Sequence, residues 1–219
     1  MTDPPARDAV RVTYDRIARH FAQTREYPWP EVESFLEGRS GAVGLDVGCG
    51  NGRHAEPLAE RTERVLAMDA SHGLLTEATA RFAGSAVADR LRVLQADAAT
   101  LPVRDRRVDL AVYVATLHHL PRRDLRVASL DELARVLADD GRALVSVWST
   151  AHDRFDADEG FDTSVDWTLP DGEVVERYYH FYDPAEFRVD LDASQVRPVE
   201  VFVSSGNCYA VVAPEGKGP

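Results

Sequence analysis

The chain has 219 residues, 44% of them hydrophobic, enough for one α/β domain with a substantial core. Its 37 acidic residues outweigh 25 basic ones and give a formal charge of −12, which argues against a surface built to hold nucleic-acid phosphates. No apolar run approaches the ~20 residues that span a membrane, and Met1-Thr2-Asp3-Pro4-Pro5 lacks a basic-then-apolar leader pattern.

Helical spacing of Val10, Tyr14, Ile17, Ala18 and Phe21 predicts an amphipathic helix over 7–23. Pro28-Trp29-Pro30 breaks it and starts a second helix over 31–37, which Gly38 ends. A buried strand is expected at 42–47, a helix at 53–60, a strand at 64–68, and a helix capped by Ser71 and running to Phe82. Strands at 91–95 and 108–114, a helix at 125–138 and a strand at 142–148 follow. This alternation implies a parallel, doubly wound sheet. Residues 151–175 are acidic and irregular, and read as a long loop or lid. Beyond it we expect a strand at 177–182, a helix at 184–191, and a closing hairpin of 199–204 and 207–212 turned by Ser205-Gly206, with 214–219 frayed.

The most informative stretch is Asp46-Val47-Gly48-Cys49-Gly50-Asn51-Gly52, a glycine loop between a strand and a helix. Glycines at alternate positions let backbone approach a ligand where a Cβ would collide. A dinucleotide loop would need glycine where Arg53 stands, and a Walker loop would need a lysine. The acidic residue followed by alternating glycines resembles motif I of the class I S-adenosylmethionine (SAM) methyltransferases. That resemblance implies a Rossmann-like, seven-stranded, mostly parallel sheet of order 3-2-1-4-5-7-6 with helices on both faces. It also implies a helical cap over 1–40, a methyltransferase domain over 41–213, and a lid over 151–176.

The same resemblance distributes the cofactor contacts. Asp46, Gly48, Cys49 and Gly50 lie near its amino-acid end, and Asp69 with Ala70 near the ribose, about twenty positions on. Asp97 and Ala98 lie near the adenine, and Ala115 borders the methyl group. Tyr14-Asp15-x-x-Ala18 is similar to the helix whose tyrosine closes over the cofactor in many of these enzymes; Tyr14 is otherwise a core aromatic.

Other segments narrow the acceptor. Thr24-Arg25-x-x-Pro28-Trp29-Pro30, Leu117-His118-His119-Leu120, Val147-Trp148, Asp166-Trp167 and Arg177-Tyr178-Tyr179-His180-Phe181 resemble, in order and wording, the tRNA wobble-uridine carboxyl methyltransferases. Those enzymes esterify the carboxymethyl group of 5-carboxymethyluridine in the anticodon loop. Ser164-Val165-Asp166 and Pro121-Arg122-Arg123-Asp124 depart from their pattern. A carboxylate is already ionised at neutral pH and needs no general base, only a positioned cation. Arg25 and Arg177 are the candidates, with His118 lining the methyl pocket or serving structure alone. Thr24, Trp29, His119, Trp148, Trp167, Tyr179 and His180 are candidate acceptor contacts, the aromatics by stacking on the base. His118-His119 has no third ligand cluster nearby, so no metal is assigned. Arg104, Arg106, Arg107, Arg122, Arg123 and Arg126 either contact tRNA phosphates or are solvated.

The resemblance also implies a small zinc-binding activator subunit, paired by strand addition to the apolar edge at Leu91, Val93 and Leu94. Two cysteines, Cys49 and Cys208, form no framework and suit a reducing cytoplasm. Lys217 is the only lysine; a salt-rich cytoplasm, as in a halophilic archaeon, or a GC-rich genome produces such a balance. In high salt, counterion release contributes little, so RNA must be read by stacking, shape and a few arginines. Two rival readings share the glycine loop: a small-molecule methyltransferase, acting on a quinone or carboxylic acid, and an inactive SAM-binding scaffold.

Overall fold

A computed structural model describes residues 7–155 and 157–216. The opening pentapeptide and residues 217–219, half of the expected frayed end, lie outside them. Two short helices lead: α1 (Arg7–Gln23) and α2 (Pro30–Leu36). Then β1 (Gly41–Val47), α3 (Ala55–Arg61), β2 (Thr62–Asp69), α4 (His72–Phe82) and β3 (Leu91–Gln95) build one half of the sheet. The other half comprises β4 (Val108–Val114), α5 (Arg123–Val136) and β5 (Leu137–Trp148). A two-stranded insertion, β6 (Phe161–Thr168) and β7 (Val174–Phe181), precedes α6 (Pro184–Asp192), β8 (Val196–Ser204) and β9 (Asn207–Pro214).

The main sheet runs β3-β2-β1-β4-β5-β9-β8. Its first five strands are parallel, while β9 runs antiparallel to β5 and β8 antiparallel to β9. This is the expected order, renumbered because the β6–β7 insertion takes two labels without joining the sheet. Side chains alternate through it as a pleat requires. On β4, Leu110, Val112 and Val114 face the core under α2, α3 and α4, while Ala111 and Tyr113 face the core under α5 and α6. Ser71 caps α4 as expected, its hydroxyl accepting the Leu74 N–H at 3.1 Å. The closing turn places Ser205 and Gly206 at positive φ, the geometry that suits a tight two-residue hairpin.

Two expectations are corrected. The strand expected at 142–148 begins at Leu137, because the chain leaves α5 directly in extended geometry and sets Leu137 beside Val108. Much of the segment expected to be an irregular loop is the β6–β7 hairpin. Phe161, Thr163, Val165 and Trp167 alternate with Asp162, Ser164 and Asp166, a period-two pattern whose exposed acidic half hides a strand. The inner face of the hairpin packs on α1. Val175 joins Tyr14, Ile17, Ala18 and Leu74 in one cluster, and Trp167 packs against it.

Candidate active site

The C-terminal ends of β1, β2, β3 and β4 open into a cleft at the point where strand order reverses, with about 1090 Å³ of empty space including its mouth. Gly48, Cys49, Gly50, Asp69, Ala70, Asp97, Ala98 and Ala115 all line it, as does Tyr14 from α1. The glycine loop is closely fitted. Gly48 has φ +70°, and a Cβ there would lie 2.6 Å from the Cβ of Thr116. A Cβ on Gly50 would meet only Phe21, at 3.8 Å, and would project into the free space of the cleft. Gly48→Ala should cost about 3 kcal/mol, from left-handed backbone plus overpacking. A thermal melt unchanged from the native chain would refute this geometry.

Asp69 organises the loop. Its Oδ2 accepts the Gly50 N–H at 2.9 Å and its Oδ1 accepts the Ser71 N–H at 2.8 Å. Burial pushes it up to about 6, although the Ser71 and Gly50 amides pull the other way. Asp46 does not reach the cleft. It is buried beneath the loop, its Oδ2 has no hydrogen-bond partner, and burial with the nearby Asp69 pushes it up to about 8. Arg53, which no motif marks beyond its place after the loop, lines the cleft. Burial and the charge of Arg25 pull it down to about 10. Asn51 likewise carries no motif of its own. Its Nδ2 donates to the carbonyls of Ala22, at 3.2 Å, and Arg25, at 2.7 Å, tying the glycine loop to the end of α1.

Beside the cleft, rings from α1, the turn after β4 and the hairpin pack around Arg177 as a closed aromatic chamber. Arg177 is 4% exposed, and its guanidinium stands 4.7 Å from the Trp167 ring and 5.1 Å from the Tyr179 ring. It donates to the Tyr179 hydroxyl at 2.7 Å. Arg25 lies 4.9 Å from the Phe21 ring and 5.6 Å from that of Trp167. Among the described residues neither arginine has a carboxylate partner, in a chain with a surplus of carboxylates. Burial pulls Arg25 down from its usual range.

His119 sits at the junction of chamber and cleft. Its Nδ1 lies 3.0 Å from the Tyr178 carbonyl, which can only accept, so Nδ1 carries the proton. Burial pulls this imidazole down to about 4. The neutral ring's Nε2 therefore accepts from the Tyr14 hydroxyl at 2.9 Å. Burial pushes Tyr14 well up, so its hydroxyl stays protonated.

His118 does not line the cleft. It is fully buried, stacks on Tyr179 at 5.2 Å, and accepts the Trp148 N–H at 3.2 Å through Nδ1. Trp148 packs 4.8 Å from Tyr179 as a wall of the chamber. His180 points the other way, because neighbouring residues on a strand face opposite sides. It lies between Asp162 and Glu186, at 2.7 and 2.8 Å. Trp29 stands apart from the chamber, 6.3 Å from Tyr209, with Arg53 at 5.3 Å from its ring. Thr24 closes α1 by donating to the Phe21 carbonyl at 2.9 Å. Of the basic clusters, Arg106 pairs with Asp139, Arg122 with Asp124, and Arg123 and Arg126 with Asp190.

This sheet, with a glycine loop after its first strand and carboxylates after its second and third, defines a class I, SAM-dependent methyltransferase. Residues 45–141 match the family model described as "Methyltransferase domain". The chain is 32% identical over 188 residues to the tRNA (carboxymethyluridine(34)-5-O)-methyltransferase of Schizosaccharomyces pombe, covering 81% of this chain and 77% of that protein. It belongs to that family. It is 34% identical over 141 residues to the mouse enzyme of that name, ALKBH8, covering 64% of this chain and 20% of the mouse protein. The chain thus spans about a fifth of that relative's length. Among solved structures, the DhpI–SAH complex has a TM-score of 0.72 at 21% identity, covering 96% of this chain and 98% of that one. A Haloferax volcanii methyltransferase in complex with the Trm112 methyltransferase activator has a TM-score of 0.70 at 16% identity, covering 96% and 99%. At these identities the two structures establish a shared fold.

Proposed function

We propose that this chain methylates the carboxylate of 5-carboxymethyluridine in the tRNA anticodon loop, forming the methyl ester. The observation that carries this reading is the pair Arg25 and Arg177, cations without carboxylate partners among the described residues, in an aromatic chamber that shares Tyr14, Phe21 and His119 with the cofactor cleft. A buried arginine without an acid is costly unless an anion arrives to pair with it. A carboxylate is the anion the planar guanidinium fork fits best, together with phosphate. SAM, when bound, supplies an electrophilic methyl group. The cleft suits it: Asp69 and Asp97 supply carboxylates, Gly50 leaves backbone bare, and Asp46 keeps an unpartnered buried oxygen under the loop.

The remaining chemistry belongs to the chain. Arg177, aided by Arg25, holds the acceptor carboxylate so that one oxygen faces the cleft. Tyr14, His119 and Tyr179 exclude water, which strengthens every charge interaction inside. The neutral His119 needs to move no proton, because the acceptor is ionised already. The hairpin serves as the lid of the 151–176 segment, residues 1–40 as a cap, and residues 41–213 as the catalytic domain.

An activator subunit at the free edge of β3 completes the assembly. Leu91 is already core and Val93 is partly covered, which leaves Leu94, 41% exposed, as the apolar contact. Relatives named for tRNA modification and a same-fold neighbour held by Trm112 support this picture. Among the described residues no helix is long and apolar enough to cross a membrane, and a cytoplasmic site suits tRNA work.

The decisive experiment incubates the chain, with and without a Trm112-type activator and in high salt, with labelled SAM and tRNA lacking the ester. Nucleoside mass spectrometry should find the methyl ester of 5-carboxymethyluridine, with higher yield in the complex. No ester in the complex would overturn the reading. Methylation of a free carboxylic acid or quinone in preference to tRNA would favour a small-molecule enzyme instead.

A further inference from the structure

The aromatic residues expected to stack on RNA turn inward. Tyr179 is buried, and Trp29, Trp148 and Trp167 are each packed against other rings. Among the described residues, Tyr27 is the aromatic side chain left open to solvent, at 73% exposure. It sits in the turn between α1 and α2, two residues after Arg25 and directly before Pro28.

That turn is clamped. Asn51 donates to the Arg25 carbonyl at 2.7 Å, and Arg81 donates to the Glu26 carbonyl at 2.9 Å. Arg81 is itself fixed by Glu56. The proline that follows limits the backbone of Tyr27 to extended geometry. A large apolar ring is therefore displayed on ordered backbone, where a protein that needed only stability would place a polar side chain. Arg53 lies close enough to Arg25 and to Arg81 to be repelled by both, and only Arg81 of the three has an ion pair among the described residues. Glu26 is the exposed acid adjoining them.

From this display we infer that Tyr27 is a stacking platform for an unpaired RNA base adjoining the acceptor nucleotide. The inference rests on the RNA-methylating function proposed above and adds a contact outside the chamber. Two residues of chain span at most about 7 Å, so Tyr27 lies at the rim served by Arg25. Stacking also fits the charge of the chain. Base–aromatic contact works on any base and draws little on counterion release, the term that a net charge of −12 opposes and salt erodes.

The test uses the full chain in its active form and an anticodon stem-loop carrying 5-carboxymethyluridine with 2-aminopurine at a neighbouring position. Tyr27→Ala should lower kcat/KM for the stem-loop by about tenfold and abolish the fluorescence quench on binding. Cofactor affinity, melting temperature and any transfer to the free nucleoside should not change. Tyr27→Phe and Tyr27→Trp should keep the quench and most of the rate. Unchanged stem-loop kinetics in Tyr27→Ala would overturn the inference, as would an equal loss in Tyr27→Phe. So would weakened activator pairing with unaltered RNA affinity, which would assign Tyr27 to a protein contact. If the native chain binds the stem-loop without transferring a methyl group, the proposed function fails, while the fluorescence titration still decides Tyr27.

Discussion

Arg177→Met should lower turnover on tRNA by about a thousandfold while cofactor affinity changes by less than about threefold. The magnitude follows from what the substitution leaves behind. The native guanidinium is buried, stacked between Trp167 and Tyr179, and without an acidic partner among the described residues. Methionine fills similar space and spares the chamber a cavity, so the fold should hold. The acceptor carboxylate would then have only the partly buried Arg25 to meet it. Removing one member of a buried ion pair costs about 3–5 kcal/mol, or roughly two to four powers of ten in rate. Arg177→Lys should recover only part of the rate, because an ammonium lacks the planar fork. Arg25→Ala should have a smaller effect on turnover, again with little loss of cofactor. A large drop in SAM affinity in either variant would reassign that arginine to the cofactor or the fold. Near-native turnover in Arg177→Met would remove the basis for a carboxylate acceptor.

Asp46→Asn should have opposite effects on the free chain and on ligand binding. In the folded chain Asp46 is pushed up to about 8, and Asp69 to about 6, chiefly by burial. Both lie above the unfolded value near 4. A carboxyl raised on folding contributes stability below its unfolded value, and that contribution is lost as pH rises through its folded value. The ligand-free native chain should therefore lose stability between about pH 4 and pH 8, with Asp69 acting in the lower half of that window and Asp46 across it. Asp46→Asn removes the larger part. The variant should melt close to the native chain at pH 5 and several degrees above it at pH 8. Cofactor binding should respond the other way. SAM carries a sulfonium and an ammonium, and a cationic ligand favours the ionised carboxylate. Native affinity should rise from pH 6 to pH 8, and the variant should bind more weakly, by about tenfold at pH 8. Melts and calorimetric titrations across this range provide the check. A melting difference independent of pH would show that Asp46 does not titrate there.

The candidate cofactor half of the site is legible because it is local. A glycine loop, an acid at the end of the second strand and another after the third are each written within a few residues, and strand geometry carries them to one end of the sheet. Elsewhere the period or the partner is hidden in the sequence. The acidic outer positions of β6 masked its alternation, so a hairpin read as a loop. His180 and Tyr179 adjoin in sequence, yet strand geometry sends them to opposite faces. Of the adjacent pair His118 and His119, only the second reaches the cleft, and that depends on the single 3-10 turn at Leu117–His119. Asn51 and Arg53 carry no motif beyond their place in the loop; their roles appear only when α1 and Trp29 pack against it.

By itself the sequence determined the local elements and the glycine loop, since periodicity and loop spacing are properties of neighbouring residues, while its resemblance to a known family implied the sheet order, the reaction class and Arg25 with Arg177 as candidates. Tertiary structure alone decided that these arginines share one chamber although 152 positions separate them. It also decided which aromatics line that chamber and which one faces solvent. Those outcomes depend on how α1 and the hairpin close against each other, a contact between distant segments that no local pattern encodes.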